Sequence, residues 1–231
     1  MDSRKIVNFF FKTFLIGGLI GFIGSFFIKY SDYGMVLNPF DGKELLGVAL
    51  YYLGFAFVYT VVAQTGFFAY LFIHRYGQSI FRSFWSTVQI LLILFALFDL
   101  VYFTSDKLSL GFKLVFTATI LIFGLIIAFL KVKETNKVAF IPALFFMIVI
   151  SSLELSLVLR TADVSSILLM LVPVLGVNAY QLLTLQKATH VDEEHKQRIE
   201  ERRKQLRKAR EEQNKQKAKK NTKENKGKKR K

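Results

Sequence analysis

Six apolar runs, each long enough to cross a bilayer, constrain this chain more than any other feature. They cover residues 7–28, 45–73, 84–103, 110–130, 138–159 and 165–185. A helix needs about 20 residues to traverse the hydrocarbon core, at roughly 1.5 Å of rise per residue. None of the runs shows the strict apolar and polar alternation of a barrel strand. Within lipid, each backbone N–H and C=O of such a run must be satisfied inside the segment itself, so the runs are predicted to be helices. The predicted fold class is all-α: a polytopic membrane bundle of six transmembrane helices over residues 1–186. A basic cytoplasmic tail, residues 187–231, follows, part helical and part disordered.

The charge is concentrated in that tail. Residues 187–231 hold 19 of the 32 Lys and Arg and 8 of the 17 Asp and Glu, so +11 of the net +15 belongs to them. Past residue 216 the tail is Lys-rich and low in complexity, which predicts disorder. It is expected to lie against anionic lipid headgroups, at about 1 kcal/mol for each nearby basic residue. No specific nucleic-acid partner is expected. Cysteine is absent, which excludes disulfides, thiol nucleophiles and cysteine metal sites. Residues 2–5 resemble the charged start of a signal peptide. The apolar run then continues past Gly24 and Ser25 to Ile28, so it is predicted to be a retained first span.

Loop charges predict the orientation. Arg4, Lys5, Arg75, Arg82, Lys131, Lys133 and Lys137 fall on one side, and Lys29, Lys43, Lys107 and Arg160 on the other. The richer side is retained in the cytoplasm. Both termini are therefore predicted to be cytoplasmic in a multi-pass plasma-membrane protein, as six crossings also require.

Polar residues inside the spans are the candidate functional residues, because a charge in hydrocarbon is costly. Lys12 is near enough to a helix end to snorkel to the headgroups. Asp99 and Glu154 lie deeper, with Lys107, Lys113 and Arg160 bordering the same end. A buried ion pair between one of these acids and one of these bases is expected, the alternative being a polar pocket that binds a ligand. Gln64, Gln89, Asn178 and Gln181 are neutral groups suited to hydrogen bonds between helices. Asn178 and Gln181 share one face of the sixth span, after Pro173. Gly17, Gly21 and Ser25 recur every fourth residue in the first span. That small-residue stripe marks a close-packing face, within the bundle or against a partner protein.

The absent motifs narrow the chemistry. There is no phosphate-cradling Gly loop and no His-Glu-x-x-His. His74, His190 and His195 are too scattered for a metal site. No cofactor is predicted, and neither is an enzymatic activity.

Four stretches carry a resemblance to a known family. They are residues 64–77 (QTGFFAYLFIHRYG), 97–103 (LFDLVYF), 135–147 (TNKVAFIPALFFM) and 178–183 (NAYQLL). Together with the GGLIG stretch of the first helix, they resemble the KinB-signalling pathway activation proteins of spore-forming bacilli, over residues 3–186. The resemblance implies an integral membrane accessory protein that activates a membrane-bound sporulation sensor histidine kinase upstream of a phosphorelay. That kinase would be its partner. No functional residue carries over, since the family has no mapped site. The alternative is a small transporter or channel that supplies a signal across the membrane, with Asp99 and Glu154 as working residues.

Overall fold

The computed structural model describes residues 3–102, 104, 108–160, 163–185, 198–203 and 205–206. Every regular element among them is helical. Lys107 and most of the tail, including the stretch predicted to be disordered, lie outside them. Ser3–Leu185 form one compact unit. A second unit comprises Met1–Asp2 and Gln186–Lys231, and its described residues, 198–203 and 205–206, are helical.

The first unit runs α1 (Ser3–Ile28), α2 (Tyr30–Leu37), α3 (Gly42–Phe81), α4 (Trp85–Tyr102) and α5 (Leu110–Glu134). Next comes α6 (Lys137–Leu159), which opens with a 3₁₀ turn at Lys137–Ala139 and contains a π-helical turn at Phe146–Ile150. The last is α7 (Val164–Leu185). Polar residues at the borders of the apolar runs start the helices by accepting orphan backbone N–H groups. Asp41 accepts from Lys43 and Glu44, Ser109 from Phe112, Asn136 from Ala139, and Asp163 from Ser165 and Ser166.

Five helical stretches among the described residues are long and apolar enough to cross a membrane. The difference from the six predicted runs arises in one place, because residues 45–73 and 84–102 of two predicted runs fall in a single stretch of 61 residues, Gly42–Tyr102. That stretch is broken. Arg82 adopts φ 47° and ψ −116°, the geometry of the first central residue of a type II′ turn, where glycine dominates. A 3₁₀ turn, Arg82–Phe84, follows. Beyond it, the Trp85 indole Nε1 lies 3.2 Å from His74 Nδ1. Eleven residues of continuous helix would hold those two positions about 16 Å apart, so the chain folds back here. Gly77 makes room for the return, since a Cβ there would run into the Trp85 ring.

The remaining pairings also alternate in direction. Along α1 and α3, Gln64 meets Phe10, Thr60 meets Gly17 and Ala56 meets Gly21. Along α3 and α6, Tyr70 meets Phe145, Phe67 meets Phe146 and Gly66 meets Glu154. On α7, Val177 faces Gly17 and Pro173 faces Gly21. Each pair runs antiparallel. The buried share of the candidate spans rises from 22% in the first to 67% in the last, so α7 is the central helix. Phe67, Phe145, Phe146, Met147 and Ile148 fill the core, while Leu15, Leu19, Leu91 and Phe95 face outward.

Candidate functional site

The π-helical turn of α6 sets up the polar centre of the bundle. One residue beyond it comes Ser151, and Glu154 stands three positions later on the same face. Opposite, α7 presents Asn178. Its Nδ2 donates to Glu154 Oε2 at 2.6 Å and to Ser151 Oγ at 3.0 Å. Ser152 Oγ donates to the Ile148 carbonyl within the π turn at 2.6 Å. Glu154, Asn178 and Ser151 are all buried. The third wall is α3 at Gly66, where any Cβ would fall inside the Glu154 carboxylate.

This arrangement corrects the expected ion pair. Among the described residues, the hydrogen-bonding partner of the Glu154 carboxyl is an amide and no cation touches it. Asp99 is half-buried on α4, and its carboxylate makes no hydrogen bond or ion pair among the described residues. Arg160 is exposed just past α6. Lys113 is buried, and its Nζ donates to the Thr104 carbonyl at 2.8 Å. Lys131, at the other end of α5, donates to the Leu182 carbonyl at 2.7 Å. Both lysines serve backbone carbonyls next to or within the closing turns of neighbouring helices, where cations are favoured.

Several polar atoms around the centre are buried with no hydrogen-bond partner among the described residues: Glu154 Oε1, Asn178 Oδ1, Gln181 Oε1, Gln64 Oε1 and both amide atoms of Gln89. Gln64 is held through Nε2, which donates to the Phe10 carbonyl at 2.9 Å. Of the four intramembrane candidates, the structure joins Glu154 to Asn178 directly. Gln181 lies on the same helix one turn on, and Asp99 stands apart. Reading the sequence missed Ser151 and Gly66. The available signal for Ser151 was its spacing of three from Glu154.

The small-residue stripe is consumed inside the bundle. A Cβ on Gly17 would strike Val177 and Thr60, one on Gly21 would strike Ala56, and the Ser25 hydroxyl meets Tyr33 Oη at 3.0 Å. Gly18 is likewise closed off by Phe57. Chemically, this centre is a helix-registering network around one enclosed carboxyl. No group of three His, Cys, Asp or Glu suited to a metal ion occurs among the described residues.

Comparison with known proteins gives a consistent answer. A family model described as KinB-signalling pathway activation in sporulation matches residues 17–188. A curated relative from Bacillus subtilis (strain 168), the KinB-signaling pathway activation protein, is 37% identical over 194 residues, covering 81% of this chain and 98% of the relative. No solved structure matches.

Proposed function

Because the chain belongs to the KinB-signalling pathway activation family, we propose that it is an integral plasma-membrane accessory protein that activates a membrane-bound sporulation sensor histidine kinase, upstream of a phosphorelay. The observation that carries this reading is the alignment with the curated relative, which extends over 98% of that protein's length. The reading has six spans with both termini cytoplasmic, and two supports. One is the loop-charge asymmetry. The other is the reversal at Arg82, which separates the helices Gly42–Phe81 and Trp85–Tyr102 within the 61-residue stretch. The basic tail lies along the inner headgroups.

Activation proceeds through packing. To favour the kinase's active state, this bundle must bind that state more tightly than the inactive one. Since Gly17, Gly21 and Ser25 are occupied within the bundle, the contact uses outward residues of the spans. The chain itself performs no chemistry. The decisive experiment deletes the gene and follows kinase-dependent sporulation together with kinase abundance. Sporulation should fall while kinase levels hold, and the tagged kinase should co-purify from membranes with the protein. Unchanged signalling after deletion would sink the reading.

A second reading, a small transporter or channel supplying a signal across the membrane, draws on Glu154, an enclosed carboxyl with no cation against it among the described residues. Movement of a solute across vesicles containing the purified protein would favour it.

A further inference from the structure

A cavity of about 500 Å³ opens between α2 and the first turns of α3, away from the Glu154 centre. Its volume lies within the range of small-molecule sites, roughly 300–1,000 Å³. Two carboxylates line it, Asp32 and Glu44, alongside the phenols of Tyr51 and Tyr52. The Tyr52 hydroxyl donates to Asp32 Oδ2, which fixes that carboxylate at the wall. The Glu44 carboxylate makes no hydrogen bond or ion pair among the described residues. Tyr51 packs edge-on against Tyr52, with ring centroids 5.3 Å apart at 77°, and remains exposed.

Charge and shape select one kind of ligand. Two negative groups and a tyrosine π-face together suit a cation. The nearby cations leave the site negative: Lys29 is drawn to Asp163 at 3.8 Å, and Lys43, next to Glu44, is a single exposed charge. Gly47 supplies the space, because a Cβ there would meet nothing within 4 Å. Met35 at the wall, and Leu46 and Leu50 on the adjoining turns of α3, are apolar and exposed. Such surroundings accept the aliphatic part of an amphiphile.

We propose that this cavity binds an ammonium group, that of an aminolipid headgroup or of a free primary amine, between Asp32, Glu44 and Tyr51. The inference goes beyond kinase activation and does not depend on it.

The test reconstitutes the full-length protein in phosphatidylglycerol nanodiscs. One arm adds phosphatidylethanolamine to the bilayer, and the other adds ethanolamine to the buffer. Retained lipid is read by native mass spectrometry, and binding of each amine by the shift in thermal stability. Stabilisation in the first arm alone identifies the lipid as the source, and in the second arm the free amine. Gly47→Leu extends a side chain into the space from a Cβ that meets nothing within 4 Å, and Glu44→Gln removes an unpaired carboxylate charge. Each should weaken the response at least tenfold in half-saturating concentration, while leaving stability without amine near wild type. Asp32→Asn should do the same, with the other two variants deciding the matter if it fails to fold. No stabilisation in either arm, a response unchanged in Gly47→Leu and Glu44→Gln, or selective retention of phosphatidylglycerol would overturn the proposal.

Discussion

At the scale of single residues, Glu154 is the group whose setting matters most. A buried acid that loses a cationic partner leaves an orphaned charge, at a cost of about 3–5 kcal/mol. Here the partner is the Asn178 amide, so neutralising Glu154 strands no cation. Glu154→Gln should therefore accumulate in membranes to near wild-type amounts. Glu154→Lys, which puts a cation and a longer chain beside Gly66, should not. Abundance on membrane blots checks both, and a collapse of the Gln variant would mean that the carboxylate charge is needed. Gly66 provides a companion test from the other wall. Gly66→Ala pushes a methyl group into that carboxylate, and overpacking of this kind costs about 1–3 kcal/mol. Shortening the acid as well, in Gly66→Ala with Glu154→Ala, should recover part of the lost thermal stability. Such non-additivity is expected of side chains in direct contact.

At the scale of elements, the junctions between helices decide the architecture. Arg82 holds a backbone geometry that suits glycine. Arg82→Gly should be neutral or raise stability by up to about 1 kcal/mol, whereas Gly within a continuous helix would cost about that much. Thermal unfolding in detergent, with Arg82→Ala as the control for lost charge, separates the two cases. The start of α7 offers a second test. Asp163 lies just outside the span, and the Ser166 hydroxyl, with the backbone N–H groups of Ser165 and Ser166 and the Lys29 charge, holds its carboxyl below the usual carboxylate range despite slight burial. A lowered value means that the ionised cap stabilises the fold above the ordinary carboxylate pKa, near 3.9, and that this is lost as pH falls through the folded value. Asp163→Ala should cost about 1 kcal/mol at neutral pH. The gap between its melting temperature and that of the wild type should close as the pH falls below the lowered folded-state value. A gap that persists there would assign the effect to packing.

For the whole molecule, the proposed six-span topology is tested by its sidedness. A reporter active only outside the cytoplasm should be silent at Lys231 and active in the loop containing Lys107. The opposite pattern at either position would refute the proposed topology. The sequence alone determined the helical class, the positions of the apolar segments and the basic tail. A bilayer leaves an apolar run of that length no other way to satisfy its backbone, and the families of sequence wording at residues 64–77 and 135–147 were readable without coordinates. It also located the polar residues that form the central network, Glu154 and Asn178, as groups needing partners. Which partners they take was settled by tertiary structure. In lipid-facing helices both faces are apolar, so periodicity does not tell the inward face from the outward one, and the rotation of each helix is set by packing. That rotation is why Glu154 meets an amide 24 residues away and not a lysine or arginine, and why the Gly17 and Gly21 stripe is closed by Thr60, Val177 and Ala56. It is also why a glycine at position 47 borders an open cavity while one at position 66 is pressed against a carboxylate.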